Sequence, residues 1–228
     1  MGYSTLLFDL DHTLFDSDAS ESAALAHTLR AAGIAEPGHY REPYRRINLE
    51  LWAGVERGEL DAARVRGLRF ERLVAEQGLD ADPEKMADDF VAGLSANGEL
   101  YAGALEVLEY LSDRARLALV TNGLGEVQRA RLERVGIAAY FGAIVISAEV
   151  GVAKPAPAIF DMAFAALDFP ARHTALMVGD SLASDIRGGN GYGIATCWFN
   201  PRGSRPGSAD TASHTIGDLT ELLRLIAD

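Results

Sequence analysis

The chain has 228 residues, enough for one large domain or two modest ones. Its 33 acids against 21 bases give a formal charge of −12 and a pI near 4.8, which excludes nucleic-acid binding driven by counterion release and a polybasic membrane anchor. With 48% hydrophobic and 24% charged residues it is globular and not disordered, and its single cysteine, Cys197, rules out an internal disulfide or a Cys-cluster metal site.

The first apolar run, Thr5-Leu6-Leu7-Phe8, stops abruptly at Asp9-Leu10-Asp11. Apolar residues on both faces followed by a polar stop suit a strand buried in a parallel sheet. From Asp16 to Asn97 only helical patterns follow. Tyr40, Tyr44, Ile47, Leu51 and Val55 share one helical face, as do Met86, Phe90, Val91 and Leu94. Gly33, Pro37-Gly38, Gly58 and Gly78 punctuate four helices. About eighty residues is too long for a loop, so this segment is expected to be a helical subdomain inserted after the first strand.

Beyond it, strands and helices alternate. Leu105, Leu108 and Leu111 mark a helix, 117–121 a strand, and Val127, Leu132 and Val135 a second helix. A strand over 143–147 precedes a third helix carrying Ile159, Met162, Phe164 and Leu167, and strands follow at 175–179 and 194–198. Residues 201–213, rich in Gly, Ser and Pro, suggest a surface loop. A last helix with Leu219, Leu222, Leu223 and Ile226 starts after Asp218, a good N-cap. The expected fold class is therefore α/β: a doubly wound, Rossmann-like parallel sheet over 1–15 and 98–228, interrupted by an all-helical insert at 16–97.

In an open parallel sheet, ligands bind outside the carboxyl ends of the strands. Four polar clusters fall there: Asp9-Leu10-Asp11-His12-Thr13, Thr121-Asn122-Gly123, Lys154-Pro155, and Gly179-Asp180-Ser181 with Ser184-Asp185. Any one strand-end aspartate is equally a helix N-cap. Together they offer carboxylates, a hydroxyl, an amide and one ammonium, an inventory suited to phosphoryl transfer. Hard carboxylate oxygens from two strand ends can hold Mg²⁺ and leave positions for water and a phosphate oxygen. Lys154 and the Thr121 hydroxyl can neutralise and orient the other phosphate oxygens. A carboxylate nucleophile would form an acyl phosphate, and a second carboxyl would donate a proton and later activate water. Of the 21 bases only Lys85 and Lys154 are lysine, so Lys154 stands where a compact point charge serves better than a guanidinium fork.

In order and context these clusters resemble the four motifs of the haloacid dehalogenase superfamily, and the insert is similar to that superfamily's helical cap. The resemblance implies Asp9 as nucleophile and Asp11 as general acid/base. Thr121, with the Asn122 backbone, would bind the transferring phosphoryl group, and Lys154 would stabilise it. Mg²⁺ would be held by the Asp9 carboxylate, the Asp11 main-chain carbonyl and the Asp180 carboxylate, with Asp185 supporting the metal through water. Dehalogenases of the superfamily lack the second aspartate, so Asp11 implies a phosphohydrolase. The segments from Ser147 to Pro155 and from Met177 to Asn200, with Asn48-Leu49-Glu50-Leu51-Trp52 and Arg69-Phe70-Glu71 in the insert, are similar to a bacterial branch of pyrimidine 5′-nucleotidases. His12 and Gly191-Tyr192 depart from that branch, away from any catalytic role. The implied substrate is a pyrimidine nucleoside monophosphate, with sugar phosphates, phosphoglycolate or acylneuraminate phosphate as alternatives.

A phospho-acceptor signalling domain uses similar residue types, but Asp11 and the long insert disfavour it. Asn48, Trp52, Arg69 and Phe70 are candidate substrate-selecting residues, Asn48 for hydrogen bonds to a pyrimidine edge and the aromatics for stacking, although aromatics at helical spacing are more often core. Arg41, Arg45 and Arg46 are read first as a solvated helix face and second as the lining of a phosphate access path. Cys197 is expected in the core. The histidines form no metal pair, and only His12 lies near the site. No basic segment precedes an apolar run at the start and no apolar run approaches ~18 residues, so a cytoplasmic monomer or homodimer with a small phosphorylated metabolite as partner is expected.

Overall fold

The computed structural model describes residues 2–205 and 211–226. Six strands form one parallel sheet: β1 (Thr5–Phe8), β4 (Arg116–Thr121), β5 (Ala143–Ile146), β6 (Ala175–Gly179), β7 (Ala195–Phe199) and β8 (His214–Ile216), in spatial order β5-β4-β1-β6-β7-β8. Pairing runs Leu6 with Leu117 on one side and with Leu176 on the other, so β1 lies at the centre of the sheet. Successive side chains on a strand point to opposite faces. Leu6, Phe8, Leu117, Leu119, Leu176 and Val178 therefore enter one apolar cluster, while Leu7, Ala118, Val120 and Met177 enter another. The first is closed by α5 (Ala104–Ser112) and by α6 (Gly125–Val135) through Leu132; the second is closed by α8 (Pro157–Ala166) and α9 (Arg187–Tyr192). Between β5 and α8 lies the single turn α7 (Ser147–Val150).

Four helices follow β1: α1 (Ser17–Ala31), α2 (Arg41–Glu56), α3 (Val65–Gln77) and α4 (Pro83–Ala96). Each start or stop has a local cause. The Asp16 and Asp82 carboxylates accept from backbone N–H groups of the first turns of α1 and α4, and Gly78, at φ +62°, ends α3 in the left-handed region. Tyr44, Ile47, Leu51, Phe70, Leu73, Met86, Phe90 and Leu94 fill a third cluster, joined by Leu124 and Val127 from the start of α6. The helices thus have a core of their own and sit on the first turn of α6.

Four features differ from the sequence expectation. Phe15–Asp16 (β2) and Glu99–Leu100 (β3) pair antiparallel, so the two connections to the helical insert run side by side. His214–Ile216 adds an edge strand beyond the expected loop; of that loop, Pro206–Asp210 lie outside the described residues. Leu219–Leu225 is a 3₁₀ helix, started by a capping box in which Asp218 and Glu221 satisfy each other's backbone N–H. Leu105 and Met162, placed by periodicity with the core faces of their helices, are largely exposed. Among the described residues no helix is long and apolar enough to cross a membrane.

Candidate active site

A cavity of about 450 Å³ opens between the carboxyl ends of the central strands and the helices above them. Asp9, Asp11, Asn122, Lys154 and Asp180 line its floor, and Asn48, Trp52 and Arg69 line its roof. The structure thus brings the four strand-end clusters to one place. Thr121 and Asp185 are fully buried just behind the floor.

Lys154 is the centre of the floor. Its Nζ donates to Asp9 Oδ1 at 2.6 Å and lies 2.7 Å from Asp185 Oδ1, with only 1% of the side chain exposed. The loop that carries it is fixed by Asn122, whose amide donates to the Lys154 carbonyl at 2.9 Å and accepts from the Lys154 N–H at 2.8 Å. Burial works against the ammonium, but Asp185 and Asp9 outweigh it and hold the Lys154 pKa above its ordinary value. Burial also pushes the Asp9 carboxyl up to about 7, with Lys154 pulling it down and Asp185 pushing it further up. Burial, with the charges of Asp185 and Asp9, holds Asp180 well above the carboxylate range.

Asp185 is locked by its surroundings. Its Oδ2 accepts from the Ser181 N–H at 2.9 Å, and a Cβ on Gly179 would lie 2.1 Å from that same oxygen. Only glycine at the end of β6 lets this carboxylate sit against the backbone. Asp180 is held by its own carbonyl, which accepts from Trp198 Nε1 at 2.8 Å.

Oxygens of Asp9, Asp180 and Asp185 all lie within 4.8 Å of one another. Two hard carboxylate donors at the floor of an open cavity, Asp9 and Asp180, with the Asp185 carboxylate directly behind them, are a donor set that fits a divalent cation such as Mg²⁺. Burial, and after it the mutual repulsion of these carboxylates, pushes Asp9 and Asp180 up, and such a cation would relieve both.

Asp11 points differently. Its Oδ1 accepts from Ser17 Oγ and is paired with Arg131, while Oδ2 accepts from Gln128 Nε2 at 2.8 Å. Burial opposes its ionisation, but Arg131 and the bonds from Ser17 and Gln128 prevail, and the carboxyl sits below its ordinary value. The Gln128 amide also donates to Thr121 Oγ1 at 2.9 Å.

The roof corrects part of the sequence reading. Asn48, Trp52 and Arg69 reach the cavity, but Phe70 does not: it is fully buried among the helices, its ring centroid 5.9 Å from Tyr44 and 5.3 Å from Phe90. Arg69 Nη1 donates to Tyr44 Oη at 3.1 Å, the Tyr44 hydroxyl donates to Glu21 Oε1 at 3.0 Å, and Asn48 Nδ2 donates to that same oxygen at 2.8 Å. Arg41 and Arg45, expected first as a solvated face, stand at the mouth of the cavity, while Arg46 pairs with Glu50 and Glu76. His12, at φ +62°, also lines the mouth. Cys197 is buried as expected.

Sequence reasoning missed Glu21, Glu56, Gln128 and Arg131, all on the cavity wall. For the last two a signal existed: they are three apart on α6, one helical turn, immediately after the Thr121 cluster.

This arrangement has counterparts in known proteins. Pyrimidine 5′-nucleotidase PynA of Streptococcus pneumoniae is 35% identical over 202 residues, 88% of this chain and 85% of that protein. Pyrimidine 5′-nucleotidase YjjG of Escherichia coli is 32% identical over 226 residues, 99% of each chain. A crystal structure of the HAD-hydrolase YfnB of Bacillus subtilis, bound to magnesium, superposes with a TM-score of 0.90 over the whole of both chains at 31% identity. The family model for haloacid dehalogenase-like hydrolases matches residues 3–193, spanning all four strand-end clusters and the helical insert between the first two. The chain therefore belongs to the haloacid dehalogenase-like hydrolase family.

Proposed function

We propose that this hydrolase is a Mg²⁺-dependent phosphomonoesterase that removes phosphate from pyrimidine nucleoside monophosphates. The observation that carries the chemistry is the floor of the cavity: a buried nucleophile candidate, Asp9, bonded to Lys154, beside Asp180 and two residues before Asp11. Asp9, Asp180 and the Asp11 carbonyl would hold Mg²⁺, with Asp185 behind them; when bound, the ion supplies positive charge to the transferring phosphoryl group. An Asp9 carboxylate oxygen attacks phosphorus, the bond from phosphorus to the ester oxygen breaks, and the Asp11 carboxyl gives its proton to the departing oxygen. Water then attacks the aspartyl phosphate, losing its proton to Asp11, and inorganic phosphate leaves with Asp9 restored. Lys154 stays charged throughout and neutralises a phosphoryl oxygen. In the free protein Asp11 is held ionised by Arg131; the negative charge of an arriving phosphate raises its pKa and favours the acid form.

For the substrate, the names of the relatives and the roof of the cavity support the same reading. With its amide nitrogen held by Glu21, the buried Asn48 Oδ1 is left without a partner. An unsatisfied buried acceptor costs on the order of 1–3 kcal/mol, which a donor on a base edge would recover. Trp52 and Leu49 offer apolar surface beside it, and the cavity volume lies within the range of small-molecule sites. Residues 16–97 then act as the cap that covers the base, with 1–15 and 98–228 as the catalytic core.

The test is a phosphatase panel of pyrimidine and purine nucleotides, sugar phosphates and phosphoglycolate, with Mg²⁺ and with chelator. Pyrimidine nucleotides should be hydrolysed best and only with metal; preference for a sugar phosphate would overturn the substrate assignment and leave the chemistry standing. Replacing Asn48 by Ala should lower kcat/KM for the preferred nucleotide by about tenfold, and an unchanged substrate ranking would remove Asn48 from the specificity device.

A further inference from the structure

Asp11 is gripped on both oxygens by two side chains of one helix. Arg131 takes Oδ1 and Gln128 takes Oδ2, from positions three apart on α6. Neither grip is incidental. Gln128 is 1% exposed, and its Nε2 spans Asp11 and Thr121 at 2.8 and 2.9 Å. It packs so closely over the Thr121 cluster that a Cβ on Gly123 would come within 2.7 Å of its amide.

Arg131 is 3% exposed and spends its donors in three directions. Nη1 meets Asp11, Nη2 donates to Ser20 Oγ on α1 at 3.2 Å, and Nε donates to the Leu94 carbonyl on α4 at 3.3 Å. Its guanidinium lies over the Phe15 ring, 4.7 Å from the centroid, at the point where the chain leaves the sheet for the helices. A planar fork can hold three acceptors on three elements at once; an ammonium on a flexible stem cannot hold the same plane.

We propose that Arg131 and Gln128 are positioning residues that aim the Asp11 carboxyl, and that Arg131 ties this aim to the seating of α1 and α4. This rests on the reading of Asp11 as general acid/base. Proton transfer needs the carboxyl within about 2.6–3.2 Å of the leaving oxygen, and a misplacement of about 1 Å costs on the order of a hundredfold in rate. Asp11 lies in a tight turn and has no rigid element of its own to hold its side chain. The bonds from α6 supply that rigidity from the core, and the bonds to Ser20 and Leu94 make it depend on the helical insert. A residue that merely glued α1 and α4 to the sheet would have no need of the Asp11 oxygen.

The experiment compares two leaving groups in the Mg²⁺-supplemented full chain. A nucleoside 5′-oxygen needs a proton to depart; p-nitrophenolate does not. For Arg131→Met, kcat/KM on the preferred nucleotide should fall about a hundredfold, and on p-nitrophenyl phosphate no more than about threefold; Gln128→Met also frees the Thr121 hydroxyl, so it should lower both, the nucleotide at least about tenfold more. Ser20→Ala removes only the α1 anchor and should give a smaller loss, about three- to tenfold, again confined to the nucleotide. Melting temperatures are recorded for all three, so a variant that fails to fold is recognised and Ser20→Ala carries the test. Asp11→Asn is the control. If it shows the leaving-group pattern and the α6 variants lose both substrates alike, the positioning role is refuted. If Asp11→Asn shows no such pattern, the assignment of Asp11 fails and the proposal with it. Arg131→Lys should behave like Arg131→Met; full retention of nucleotide activity in the lysine variant would also refute the proposal.

Discussion

Replacing the proposed nucleophile should stabilise the metal-free protein. Burial lifts the Asp9 carboxyl from its ordinary 3.8 to about 7. A raised pKa means that the folded state holds a proton which the unfolded chain has already released. The unfolded state therefore binds fewer protons between these two values, and stability falls as pH rises through that window. The difference of about three pH units at 1.36 kcal/mol each gives a penalty of about 4 kcal/mol, absent near pH 4 and complete above pH 7. Asp9→Asn keeps the shape of the neutral acid and cannot ionise, while Lys154 retains Asp185 at 2.7 Å. In urea denaturation with chelator, the variant should match the wild type at pH 4 and exceed it by up to about 4 kcal/mol at pH 8, an upshift in melting temperature on the order of 10 °C for a chain of this size. Added Mg²⁺ should narrow the gap, because a ligand that binds the native carboxylate stabilises the wild type selectively. A variant no more stable than the wild type at pH 8, or a difference independent of pH, would refute the reasoning.

Phe70→Ala should cost about 3–5 kcal/mol in urea denaturation, because it opens a cavity against Tyr44 and Phe90, and should leave the substrate ranking of the folded fraction unchanged; an altered ranking at full stability would return Phe70 to the site. The Cys197 thiol is pushed up to about 12 by burial and, secondarily, by Glu221. The native protein should therefore resist a thiol reagent at pH 8 and take up one equivalent after unfolding, and rapid native labelling would count against the buried placement.

The buried strands were legible because each carries its own stop. Thr5–Phe8 is apolar on both faces and ends at Asp9, and the structure ends β1 at Phe8. The same logic located 175–179, where Gly179 and Asp180 close the run. Strands β2 and β3 were not legible, since two residues are too few to display a period, and their pairing depends on two chain crossings some eighty positions apart. Among the roof residues, Trp52 and Phe70 look alike in sequence. Their fates diverge because Tyr44 and Phe90, from two other helices, enclose one ring and leave the other at the cavity. Periodicity reports which residues share a face of one helix; it does not report which neighbour that face meets. Arg131 was hidden for another reason. It is one of 19 arginines, and a charged residue on an amphipathic helix is by default solvated.

The contrast between Lys154 and Arg131, buried beside the aspartates, and the exposed arginines bears on how an acidic protein handles an anionic ester. On the helical insert, Arg46 and Arg72 bridge Glu50 and Glu76, and Arg66 reaches Asp88 and Glu126. These pairs are exposed and screened, and each adds little to stability. They use up positive charge without creating a basic surface. At the cavity floor the balance is different. Among the described residues, the ion pairs of Asp9, Asp11 and Asp185 are with Lys154 and Arg131, so with every carboxyl ionised these three, Asp180 and the two cations together carry a net charge of minus two. The two acids whose pKa values are raised, Asp9 and Asp180, are also the two side chains proposed to hold Mg²⁺. Protons on those two acids and a divalent cation are thus alternative ways to supply the same two positive charges. On the proposed function, a phosphate dianion would then meet a floor made neutral by the metal, with Lys154 presented as a point charge, after passing Arg41 and Arg45 on the cavity lining. On this reasoning the overall negative charge of the chain is no obstacle to the substrate, because it is the local deficit of two charges, and not the surface, that decides whether an anion can bind.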